Sequence, residues 1–74
     1  MEEKRVLIRR KLQDNHLTSV WLINQLEQNG VRTDKAEMSN ILTGSRKGPK
    51  VDEIMEAALN ILHRYEKSMD QGTG

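Results

Sequence analysis

The stretch LTSVWLINQLEQNGVRTDKAEMSNILTG, residues 17–44, decides the fold. Thr18 stands where a helix N-cap is needed, and Leu17 before it takes the staple position. At about 100° per residue, Leu22, Ile23 and Leu26 share one stripe, and Trp21 falls almost opposite. Gly30 suits a left-handed helix end, after which Val31 can return to the core. Asp34 with Glu37 three residues on has the spacing of a capping box, and Gly44 closes a second, shorter helix. Met38, Ile41 and Leu42 form its inner stripe, so Ala36, Asn40 and Thr43 point outward with Lys35, Glu37 and Ser39 on the flanks. The result is two helices joined by a turn, the second with a small polar outer face.

Before this pair, about Glu3 to Asn15 forms an amphipathic helix. Ile8 and Leu12 are four apart with Val6 and Leu7 beside them, while Arg5, Arg9, Arg10 and Lys11 largely occupy the wet face. After it comes a basic loop, Gly44-Ser45-Arg46-Lys47-Gly48-Pro49-Lys50, whose proline suits the first turn of a further helix. Asp52 and Glu53 favour the positive end of that helix. Val51, Ile54, Ala58, Ile61, Leu62, Tyr65 and Met69 keep to one side of it over some 19 residues, roughly 28 Å. One domain over residues 1–70 with a disordered tail at 71–74 is expected.

A chain of 74 residues supports one core, and 35% hydrophobic with 31% charged residues is a globular composition. No period-two alternation appears and aromatics are limited to Trp21 and Tyr65, so the expected class is all-α, with four to five helices and a long C-terminal one. The absence of cysteine removes disulfides and thiolate metal sites. No apolar run approaches a membrane span and the N-terminus lacks a secretory signal, which points to the cytoplasm. His16 and His63 lie in different elements with no ligand pair at helical spacing, and no Gly-rich loop follows a strand, so neither an enzyme, a cofactor nor a small-molecule ligand is expected.

The formal net charge is only +1, but it is unevenly spread. Residues 1–50 hold ten Lys or Arg against six Asp or Glu, and residues 51–74 hold two against five. A basic front and an acidic rear suit a domain that turns one face to a polyanion.

The run Leu17-Thr18, Leu22, Gly30-Val31, Met38-Ser39, Ile41, Gly44 and Arg46-Lys47 resembles the Cro and phage-repressor family of small helix-turn-helix proteins, especially short prophage-encoded members of Gram-positive bacteria. The resemblance covers most of the chain and implies a lambda-repressor-like fold. It implies that residues 34–43 enter the major groove, that Lys35, Ala36 and Asn40 meet bases, and that Ser45 to Lys50 lie along phosphates. Ile23 stands where the family has a small residue, and the connection Glu27-Gln28-Asn29-Gly30-Val31-Arg32-Thr33 is longer, which implies a wider helix crossing.

The resulting expectation is a DNA-binding transcriptional regulator of phage type that acts by occupying an operator. Candidate base contacts are Lys35, Ala36, Glu37, Ser39, Asn40 and Thr43. Asn40 has the donor-acceptor pair for adenine, Lys35 can donate to guanine, and Glu37 can accept from cytosine, although capping also accounts for Glu37. Candidate phosphate contacts are Ser45, Arg46, Lys47 and Lys50 with Ser19 at a helix start. Ile61, Leu62, Tyr65 and Met69 extend past the expected core and form a candidate homodimer interface on double-stranded DNA; the competing reading folds the N-terminal helix onto the same stripe. Trp21 is either an interface residue or covered by the N-terminal or C-terminal helix. The rival functions are a protein-interaction module on the same fold, such as an antirepressor or adaptor, and a recombination accessory factor.

Overall fold

A computed structural model describes the backbone of residues 2–73 and the side chains of residues 3–68. Met69, one of the expected interface residues, has its side chain outside that range, as do the side chains of the expected tail. Four helices follow in order: α1 Glu2–Asp14, α2 Ser19–Gln28, α3 Lys35–Thr43 and α4 Pro49–Thr73. No strand occurs among the described residues.

The three short connections are built from the same local device. After α1, α2 and α3 a residue with positive φ reverses the chain: His16 at 56°, Gly30 at 83° and Gly44 at 82°. In each case the amide of the next residue reaches back to the helix, Leu17 N to Leu12 O, Val31 N to Leu26 O and Ser45 N to Asn40 O. The positive-φ residue donates to the carbonyl three before it, so each end is a Schellman motif that satisfies carbonyls the helix leaves open. Glycine adopts this conformation without a Cβ penalty; His16 does not have that freedom.

Helix starts are equally local. Thr18 is extended and its hydroxyl accepts from the Trp21 amide at 3.1 Å. Asp34 is extended and its Oδ1 accepts from the Glu37 amide at 2.7 Å. Pro49 opens α4, and the Gly48 carbonyl accepts from the Asp52 amide.

α1 and α2 each pack against both α3 and α4. The core between them is Ile8 and Leu12 from α1, Leu22 and Leu26 from α2, Met38 and Ile41 from α3, and Val51, Ile54, Met55, Ala58, Ile61 and Leu62 from α4. Ile23, at the expected crossing, is half-buried and packs against this cluster. Burying a side chain such as Leu22 or Leu26 contributes about 1.5–3 kcal/mol relative to leaving it in water.

Two expectations need correction. Val6 and Leu7 do not flank the core: they are 47% and 39% exposed, because Ile8 and Leu12 alone define the inward direction of α1. Ile61 and Leu62 do not extend past the core. Both are buried within the chain, since α1 packs along α4 and carries the core beyond Ala58. The apolar surface that was expected to demand a second copy at these two positions is therefore already covered.

Candidate nucleic-acid interface

α3 presents its outer face as the wheel requires. Met38 and Ile41 are buried and Leu42 half-buried, which leaves Lys35, Ala36, Ser39, Asn40 and Thr43 exposed along one side. These side chains are short apart from Lys35, so the helix backbone lies close to whatever surface meets it.

The loop after α3 is fixed to that helix. The Asn40 carbonyl accepts from both the Ser45 amide at 2.9 Å and the Arg46 amide at 3.2 Å. The Thr43 and Ser45 hydroxyls lie 3.2 Å apart, and the Thr43 hydroxyl donates to the same Asn40 carbonyl. Arg46 and Lys47 are exposed on this short, doubly anchored segment, and Lys50 is exposed just beyond it in the first turn of α4. Three cations thus follow directly on the exposed face of α3.

Glu37 joins the two parts. Its amide is taken by Asp34, but its carboxylate does not return to the cap; Oε2 instead accepts from Arg46 Nη1 at 3.2 Å and lies 4.0 Å from Lys50 Nζ. The capping-box role expected for its side chain is corrected accordingly: Asp34 caps alone, and the Glu37 carboxylate is turned toward the loop. The structure brings Glu37, Arg46 and Lys50 together as one cluster. Ser19, the remaining expected phosphate contact, is half-buried in the first turn of α2.

A contribution that periodicity misses comes from α1. Arg5, assigned by pattern to the wet face, is half-buried and donates through Nη1 to the Leu42 carbonyl at 3.2 Å. A cation at the carbonyl end of a helix offsets the dipole there. Its side chain also lies against Gly44, where an added Cβ would meet Arg5 Nε at 3.3 Å. α1 therefore braces the point at which α3 turns into the basic loop.

Elsewhere, Trp21 is half-buried and meets Tyr65 edge-on, with ring centroids 5.3 Å apart and planes at 72°. The C-terminal helix covers it, which was one of the two readings of its position. This pair borders a shallow cleft with Gln25, Asn29, Ile61 and Arg64.

Comparison with known protein families, with curated proteins and with solved structures gave no match. Among the described residues no group of three or more His, Cys, Asp or Glu side chains is placed to hold a metal ion, and no helix is long and apolar enough to cross a membrane.

Proposed function

We propose that this chain binds double-stranded DNA as a sequence-specific transcriptional regulator, with α3 in the major groove and the following loop on the phosphate backbone. The observation that carries this reading is the joining of an exposed, small-residue helix face to a loop bearing Arg46 and Lys47, tied to the helix through the Asn40 carbonyl, with Lys50 at the start of α4. A groove-reading helix needs short side chains so that its axis can approach base edges, and it needs cations beside it to fix its register. The resemblance of residues 17–47 to Cro-like proteins points the same way.

In this reading Asn40 contacts an adenine edge and Lys35 a guanine edge, while Ala36, Ser39 and Thr43 allow close approach and contact methyl or polar edges. Arg46, Lys47, Lys50 and Ser45 hold phosphates. Two chains on one operator would double the sequence read, and occupancy of that operator would block a polymerase or a competing regulator.

The test is a contrast between holding and reading on DNA selected from a random pool. Asn40→Ala is expected to lose about 1–3 kcal/mol of discrimination at particular base pairs. Arg46→Ala and Lys47→Ala are expected to weaken all sequences about equally. Uniform loss from Asn40→Ala would remove it from the reading face. A protein-interaction module is the second reading, favoured by the exposed apolar residues Val6, Leu7 and Val20. It predicts no salt-dependent affinity for any duplex.

A further inference from the structure

Glu37 is out of place on a surface meant for phosphates. Its side chain is 16% exposed, whereas its partner Arg46 is 55% exposed, so the carboxylate is tucked beneath the cations of the loop. It is also rigidly supported. Asp34 holds its backbone amide at 2.7 Å, and the loop carrying Arg46 is tied to Asn40 of the same helix. One carboxylate oxygen serves two cations from different elements, Arg46 in the loop and Lys50 in the first turn of α4.

We infer that Glu37 is a built-in counter-anion, which competes with phosphate for Arg46 and Lys50 and so lowers the affinity of the basic loop for any duplex. This rests on the DNA-binding reading above and adds a role for a residue that contacts neither base nor phosphate.

The physical argument is competition. A phosphate that approaches Arg46 must share it with a carboxylate already 3.2 Å away, and that carboxylate repels the phosphate itself. Like charges brought together at an interface weaken the complex, here with any phosphate backbone. The repulsion is the same in every complex, so one held by the loop alone is the first to fall below measurable occupancy. A complex with base contacts from Asn40 and Lys35 has additional contacts that offset it. Arg46 still has donors beyond Nη1, so Glu37 weakens its grip on phosphate without abolishing it.

The experiment measures binding of the full chain to a fluorescent random-sequence duplex across a salt series, for wild type, Glu37→Gln, Arg46→Ala and the double variant, with a thermal melt of each. Glu37→Gln is expected to bind the random duplex roughly three- to tenfold more tightly, with a similar salt slope, since the same three cations meet phosphate. In the Arg46→Ala background the gain is expected to shrink, because the two residues act through one contact. If Glu37→Gln melts below the assay temperature, Glu37→Ala carries the same test with a better helix former.

Unchanged or weaker binding by the folded variant, beside clear salt-dependent binding by wild type, overturns the role of Glu37 and leaves DNA binding standing. A gain of equal size with and without Arg46 overturns the proposed route through that residue. Salt-independent or undetectable binding by every variant overturns the DNA-binding reading and this inference with it.

Discussion

Lys11 Nζ lies 2.6 Å from Glu66 Oε1, joining the last turn of α1 to α4 across 55 positions of sequence. Asn15 completes the junction: its amide nitrogen donates to Glu66 Oε2 at 3.0 Å and to the Lys11 carbonyl at 2.8 Å. The arrangement holds α1 along α4, and hence Arg5 against the end of α3. Stability of the rear junction therefore supports the geometry of the front face.

The Lys11 ammonium, and after it the Asn15 amide, hold the Glu66 carboxyl below its ordinary range, against a smaller opposing effect of burial. A carboxyl whose folded pKa is depressed stabilises the fold fully above its unfolded pKa and loses that contribution as pH falls through the ordinary glutamate range and below. Wild type is therefore expected to lose melting temperature in that acidic window more steeply than Glu66→Gln. At neutral pH Glu66→Gln is expected to cost about 1 kcal/mol or less, since the pair is partly open to solvent. Parallel melting curves from neutral to acidic pH would contradict this account.

The Schellman ends give a prediction of opposite signs. His16→Gly removes a non-glycine residue from a φ of 56° and is expected to stabilise by about 0.5–1 kcal/mol, or several degrees in melting temperature. Gly44→Ala places a Cβ at a φ of 82° and against Arg5, and is expected to destabilise by about 1–2 kcal/mol. Urea titrations of the two variants check both signs.

Trp21 gives a spectroscopic prediction. Because Tyr65 of the same chain packs against it, its emission is expected to be blue-shifted relative to free indole and unchanged on dilution. Tyr65→Ala is expected to shift it red. A red shift of the wild-type emission on dilution alone would mean that a second copy supplies the cover.

Much of this structure is legible in the sequence because it is decided within a few residues. Thr18, Gly30, Asp34 and Gly44 each bond to backbone groups three or four positions away, so their residue types announce their roles. At Asn15-His16 the break after the first helix is legible, but the left-handed turn of His16 is not, since nothing but geometry distinguishes a left-handed histidine from an ordinary one. Arg5 and Lys11 are misread by periodicity because their partners, the Leu42 carbonyl and Glu66, are 37 and 55 positions away. Glu37 shows the same limit. Its spacing from Asp34 is visible, but the direction of its carboxylate is set by how the loop folds back with Arg46. Ile61 and Leu62 look surplus only while α1 is imagined short of them.

The measurement that tests the central claim most directly is the salt dependence of binding to double-stranded DNA. Three cations, Arg46, Lys47 and Lys50, each neutralising one phosphate, predict a slope of log K against log salt of roughly −2.7 for one chain, and about twice that for two chains on one operator. Arg46→Ala and Lys47→Ala are each expected to make the slope shallower by about one per chain bound. A slope near zero, with affinity indifferent to both substitutions, would contradict the assignment of this face to DNA.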